Sequence, residues 1–279
     1  MSQTTARPSA PGTGAGTVGT VDERPLTARS VIASTLLGMR PPRLPTAILV
    51  RSCGLFGITE GTTRVAISRM VAAGELAADD GGYRLTGPLL DRQDRQDESR
   101  HGPQRWDGRW TMAVVVADRR PAPARTELRN AAAQLRLASL REGVWLRPDN
   151  LAPDRLPSAR AVVDRQCQVF DARPVGTDEP SALAASLWDL DRWSTGAAAL
   201  ARRIGELVEA LESGDLDSLA PGFLASAAVL RHLQADPLLP TELLPPDWPG
   251  AALRADYDRY DVAFKQVWRA WYKAQAHGA

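Results

Sequence analysis

Residues 58–86 read ITEGTTRVAISRMVAAGELAADDGGYRLT, and this stretch decides the fold of the first third of the chain. Thr59 can cap exposed backbone N–H groups, so a helix is expected to start just after it and to stop at Gly74. Ala66, Ile67, Met70 and Val71 fall at the 3–4 spacing of one buried stripe. Thr62, Arg64, Val65, Ser68 and Arg69 take the opposite side. After Gly74 the period changes to two short strands, 75–78 and 83–86, joined by Asp79-Asp80-Gly81-Gly82. Asp and Gly tolerate positive φ, which a tight hairpin turn demands. A helix of that surface chemistry backed by a short hairpin is how winged helix-turn-helix domains present themselves to DNA.

Two helical patterns precede it. In residues 27–39, Val31, Ile32, Thr35 and Leu36 share a face and Thr27 is placed to cap. Residues 45–53 open with Pro45 in the first turn, where its missing N–H costs least, and bury Ile48, Leu49 and Cys53. Residues 25–90 carry seven arginines against Glu60, Glu75, Asp79 and Asp80, a balance of +3. That is a mild footprint for a nucleic-acid binder. Affinity then has to come from specific contacts and from two copies acting together, so a homodimer is expected.

The whole chain has 279 residues, 44% hydrophobic, with a net charge of +1, which fits two or three ordinary globular domains. No apolar run approaches the ~20 residues that span a bilayer, so no membrane partner is expected. Residues 1–24 are rich in Ser, Thr, Gly, Pro and Ala and lack an apolar h-region, which reads as a disordered tail and not a signal peptide. Cys53 and Cys167, with His101, His232 and His277, show no metal-ligand spacing. Reduced thiols in a cytoplasmic protein are expected, with no metal and no cofactor.

Residues 91–105, DRQDRQDESRHGPQR, hold no large apolar side chain and read as a charged linker, an exposed helical extension or hinge. Beyond it, residues 111–117 form a β-branched run typical of a buried strand, 125–140 a helix with Leu128, Ala131, Ala132, Leu135 and Leu140 inward, and 143–148 a second strand ended by Pro148. Residues 161–163 and 167–170 are read as further strands and 181–188 as a second helix, which suggests a ferredoxin-like α+β unit. From residue 195 the chain reads as helical, with apolar stripes ending in Leu253, Tyr257, Tyr260, Phe264, Val267 and Trp271. Between the last two stripes, residues 236–249 carry five prolines and read as a rigid extended connection.

The segments SVIASTLLG, ITEGTTRVAISRMVAAGEL, YRLT, WDGRW, GVWLRPDNL, WDLDRW and LPPDWPG resemble those of the PaaX-type repressors of phenylacetate catabolism, over nearly everything from residue 26 to 271. The resemblance implies an α+β chain with an N-terminal winged helix-turn-helix (25–90), a central ferredoxin-like domain similar to the nuclease Cas2 (106–180) and a helical C-terminal domain (181–279). It also implies a dimeric transcriptional repressor, released from a double-stranded DNA operator by an aryl-CoA thioester such as phenylacetyl-CoA. The ligand comes from the resemblance alone.

Thr62, Thr63, Arg64, Ser68 and Arg69 are the expected base readers, and Arg84 on the hairpin the expected phosphate contact. An acyl-CoA needs cations for its phosphates and an apolar slot for its acyl head. Arg109, Trp110, Trp145, Arg147, Trp188, Arg192 and Trp193 are the Arg/Trp pairs expected to supply them. A rival reading makes the Cas2-like centre a metal-dependent nuclease through Asp118, although no second carboxylate follows until Glu127. A CoA-utilising enzyme finds no nucleophile–base pair, and no catalytic residue is expected.

Overall fold

The computed structural model describes residues 26–117, 119–152, 154–175 and 180–277. Helices α1 (Ala28–Leu37), α2 (Thr46–Gly54) and α3 (Glu60–Ala72) enclose the first core, where Val31, Ile32, Leu36, Leu49, Ile67 and Met70 are fully buried. Thr27 caps α1 reciprocally: its hydroxyl accepts from the Ser30 N–H, and its own N–H donates to Ser30 Oγ. Beside the helices, β2 (Leu76–Asp79) and β3 (Gly82–Leu85) form the expected hairpin. A third strand, β1 (Arg43–Pro45), pairs with β3 to give the antiparallel order β1-β3-β2. Three residues ending in proline carry no alternation to find. Pro45 therefore closes a strand and sits at the cap of α2, not inside its first turn. At Gly82 a Cβ would lie 2.1 Å from the Leu44 carbonyl oxygen, so only glycine lets β1 pack this close.

Helix α4 (Pro88–His101) occupies most of the stretch expected to be an exposed helical extension or hinge; the helix is there, but one side of it is buried. Its buried residues are Leu89, Gln93, Gln96 and Ser99, a helical stripe that turns polar after Leu89. Gln93 Nε2 donates to the carbonyls of Leu37 (3.1 Å) and Met39 (3.2 Å), satisfying the end of α1. Arg40–Asp97 and Arg100 with Asp258 and Asp261 fasten the helix on either side. A segment without large apolar side chains is held here by hydrogen bonds, which corrects the hinge reading.

The central unit runs β4 (Trp110–Val115), α5 (Ala122–Gln134), β5 (Ala138–Arg141), β6 (Val144–Pro148), α6 (Pro157–Gln166) and β7 (Cys167–Ala172). The sheet order β5-β6-β4-β7, all antiparallel, is the β-α-β-β-α-β arrangement of ferredoxin-like folds. Two local expectations fail. The helix expected to reach residue 140 ends at Gln134, because Arg136 takes φ 58° and turns the chain into β5, leaving Leu140 exposed. Residues 161–163, expected as a strand, lie inside α6, whose first turn holds Pro157. The second helix of the unit is thus α6, while α7 (Pro180–Leu187) places Ala184 in a separate cluster with Trp110, Leu146, Leu190, Leu239 and Leu243. Each sheet face is therefore covered, with Ala113, Leu128, Ala131 and Val163 on the other side.

Helices α8 (Leu190–Glu212), α9 (Leu219–Gln234) and α10 (Gly250–His277) complete the chain. The stripe Leu253, Tyr257, Tyr260 and Val267 is buried against Ile204, Val208, Leu211, Val229 and Leu233 of this same chain. It is internal core and offers no free dimer face. Between α9 and α10, residues 236–240 of the connection are buried. Among the described residues no helix is long and apolar enough to cross a membrane.

Candidate nucleic-acid interface

Helix α3 begins where expected, with Thr59 Oγ1 accepting from the Thr62 N–H (3.3 Å). The buried side is Thr63, Ile67 and Met70 with Ala66 partly buried against the core, so the expected stripe holds at Ala66, Ile67 and Met70 and extends back to Thr63 instead of on to Val71. Val71 is exposed. Thr63 is 0% exposed, and its hydroxyl donates to the Thr59 carbonyl (3.0 Å). It cannot read a base. Burial pushes the Cys53 thiol up, with the Thr63 hydroxyl beside it as the opposing influence. The remaining four expected readers, Thr62, Arg64, Ser68 and Arg69, share the exposed face with Val65. Arg64 is paired with Glu60 (Nε–Oε1 2.8 Å), and Ser68 Oγ donates to the Arg64 carbonyl (3.1 Å). Such an i,i+4 surface pair is worth on the order of 0.3–0.5 kcal/mol. A bidentate arginine–guanine contact contributes about 1–3 kcal/mol of discrimination, enough to draw Arg64 away.

Arg84 is exposed on β3, the central strand of the small sheet. Its register partners are Ala77 on one side and Arg43 on the other. Cross-strand partners point to the same face, so two guanidiniums stand together there; like charges in that position repel unless an anion lies between them. Asp79, 3.9 Å from Arg43, offsets this in part. Sequence reasoning missed Arg43 because it missed β1. The basic residue between prolines was the available signal.

The seven residues expected at an effector site do not converge. Arg109 and Arg147 line a cavity of about 360 Å³ in the central unit, together with Arg155, Arg160, Asp149, Asp164 and Asp171. Arg109 is already paired with Asp107 (2.6 Å) and Asp171 (3.3 Å). Arg147 is buried and donates to the carbonyls of Pro148 and Leu135 and to Asn150 Oδ1 (2.6 Å). Burial, with Arg136 and Arg155 nearby, lowers its pKa to about 9, so it stays charged at neutral pH. It belongs to a buried network that crosses the molecule. Arg136 donates to the carbonyls of Gln234 and Asp236 and to Ser99 Oγ; Arg254 donates to Asp236 Oδ2 (2.5 Å) and the Ser99 carbonyl (2.7 Å). Trp110 is buried on the other sheet face, and Trp145 stands opposite Ala113 on β6. Trp188 packs in the Trp110 cluster, and Arg192 is exposed at the start of α8. Trp193 is buried and stacks on His232 (4.6 Å) and Trp248 (4.4 Å). Asp118 lies outside the described residues.

A second cavity holds none of these residues. Its volume is about 100 Å³, and it lies where α1, α2 and α4 meet α9 and α10. Phe56, Phe223, Phe264 and Trp268 form its aromatic walls, and Arg92 also lines it.

The architecture defines the class: an α+β protein with a three-helix unit and small sheet, a Cas2-like centre and a helical C-terminal unit. The chain belongs to the PaaX-like family. It matches the PaaX-like protein model over residues 27–89, the PaaX protein central Cas2-like domain over 103–184 and the PaaX-like protein C-terminal domain over 188–274. Among solved structures it is similar to the uncharacterized protein Rv0674 from Mycobacterium tuberculosis, 39% identical, with a TM-score of 0.66 over 88% of this chain and 98% of that one. No curated protein matches the chain.

Proposed function

We propose that the chain is a DNA-binding transcriptional repressor, with residues 25–90 acting as a winged helix-turn-helix and α3 entering the major groove. Membership of the PaaX-like family supports the regulatory role. The observation that carries the reading is the solvent face of α3, where Thr62, Arg64, Ser68 and Arg69 stand together over a rigid core. Arg84 and Arg43 would grip phosphate from the wing. With only a mild positive balance, two copies on one duplex supply the remaining affinity, so the working form is a cytoplasmic homodimer on an operator of two half-sites separated by whole helical turns. Its dimer face lies outside the α10 stripe. An aryl-CoA thioester such as phenylacetyl-CoA, the ligand class of the family's name case, is the proposed releasing signal.

The test is selection of bound duplexes from a randomised DNA pool, followed by gel-shift titration with and without phenylacetyl-CoA. The expected result is an inverted repeat bound in the nanomolar range typical of specific sites and released by the thioester. Recovery of no enriched sequence overturns the reading, and Mg²⁺-dependent cleavage lost in Asp118→Ala puts a nuclease in its place.

A further inference from the structure

Arg92 is half-buried on α4, and among the described residues it has no hydrogen bond and no acidic partner. Burial lowers its pKa, and so do the like charges of Arg95, Arg231 and Arg29. Arg29 is neutralised by Glu75; Arg92 is not. A guanidinium in that setting is stabilised by an incoming anion.

The cavity it lines is mostly apolar; its other charged groups, Lys265 and Asp261, are paired with each other (2.8 Å). Phe56 and Phe223 meet across it at 5.0 Å, and Phe264 and Trp268 of α10 close the far side. About 100 Å³ is close to the size of dry cavities that hold one benzene ring. There is no room for a nucleotide inside. A ligand of this site is therefore one aromatic ring inside, joined to an anionic remainder that lies along the arginines outside.

The walls come from two parts of the chain that the proposed function requires to communicate. Phe223 and the α10 aromatics belong to the C-terminal helices. Phe56 lies in the turn between α2 and α3, four residues before α3 begins, and packs on the first core together with Phe223. A ring entering between Phe56 and Phe223 must displace one of them. Displacing Phe56 re-aims the turn that sets the entry angle of α3, and α3 is the helix proposed to read bases.

We propose that the cavity between α1–α2 and α9–α10 is the effector site, that it takes the aromatic acyl head of a thioester with Arg92 facing the anionic portion, and that Phe56 transmits occupancy to α3. This deepens the repressor reading and rests on it. Coupling of this kind is reciprocal: the ligand weakens DNA binding by the factor by which DNA weakens the ligand.

The experiment is calorimetric titration of the full chain with phenylacetyl-CoA, with phenylacetate and free CoA as controls, in three forms: wild type, Ala227→Trp and Arg92→Gln. Ala227 lines the cavity, and an indole there fills it. Saturable thioester binding by wild type is expected to be lost in Ala227→Trp. In Arg92→Gln, which keeps the fold without filling the cavity, it should weaken roughly tenfold, the cost of one charge-assisted hydrogen bond. Arg92→Gln should still shift the selected operator as wild type does, whereas Ala227→Trp, whose indole occupies the cavity as the ring would, should shift it more weakly; thermal unfolding of both variants reports that they are folded. Thioester binding unchanged in both variants overturns the site and leaves the repressor reading standing. Failure of wild type to bind the thioester overturns the site together with the effector assignment, and the operator shift then shows whether DNA binding survives.

Discussion

Thr63 and Arg64 are neighbours with opposite fates, set by one helical step of 100°. Thr63 points into the first core and spends its hydroxyl on the Thr59 carbonyl; Arg64 points to solvent and holds only Glu60. Substitution separates them. Thr63→Val should cost about 0.5–1.5 kcal/mol of stability, the net value of a hydrogen bond, and leave base preference alone. Arg64→Ala should change stability by less than about 0.5 kcal/mol and weaken specific DNA binding roughly tenfold or more. Thermal unfolding and gel-shift titration on the same preparations decide it, and a specificity change in Thr63→Val would count against this orientation of α3. On the wing, Arg84→Ala should lower affinity for all sequences alike and reduce the slope of log K against log salt by about one unit. A loss confined to one base position would place Arg84 in a groove instead of on phosphate.

Among the elements, α4 departs furthest from what its composition suggests. Buried Gln93 closes the carbonyl end of α1, whereas its neighbour Asp94 is exposed. Gln93→Leu should lower stability by about 1–3 kcal/mol, the cost of leaving buried carbonyls unpaired. Asp94→Ala should stay within about 0.5 kcal/mol, and equal effects in a urea titration would mean that α4 is not packed as described. The contrast shows what a sequence makes legible. The β2–β3 hairpin was readable because Asp80-Gly81 demands a turn, and the Thr27 and Thr59 caps because their hydroxyls act locally. A polar buried stripe was not, since its partners are carbonyls 54 and 56 residues away. The α5–β5 boundary was hidden as well: Leu140 keeps helical spacing, and the turn falls on Arg136, with no glycine or proline to announce it. In α6, Ala161-Val162-Val163 outweighed Pro157, the better signal. The face of α3 was legible except at its ends, where Thr63 is buried and Val71 exposed, while the cavity at Phe56 and Phe223 joins residues too distant for any local pattern.

For the whole molecule the deciding feature is the network of Arg136, Arg147 and Arg254 with Glu98, Asn150 and Asp236, which ties α4, the central sheet and the C-terminal helices together. Removing one partner of a buried ion pair leaves the other charge uncompensated, at about 3–5 kcal/mol. Asp236→Ala and Arg254→Met should each lose that much in urea unfolding, and the double change Asp236→Leu with Arg254→Met should recover most of it. Strict additivity in that cycle would show that the two groups act independently.

The same network sets an order of events during synthesis. Arg136 donates to carbonyls 98 and 100 positions further on, and the Ser99 carbonyl waits for Arg254, 155 positions later. At ribosomal speeds of roughly 5–20 residues per second, these separations take roughly 5–30 s. Throughout that time Arg136 of the Cas2-like centre has Glu98 and Ser99 beside it but lacks the two carbonyls that complete its set. Nascent chains stalled before residue 236 would present that unit unfinished, open to chaperones and proteases, so quality control of this protein acts on its last third.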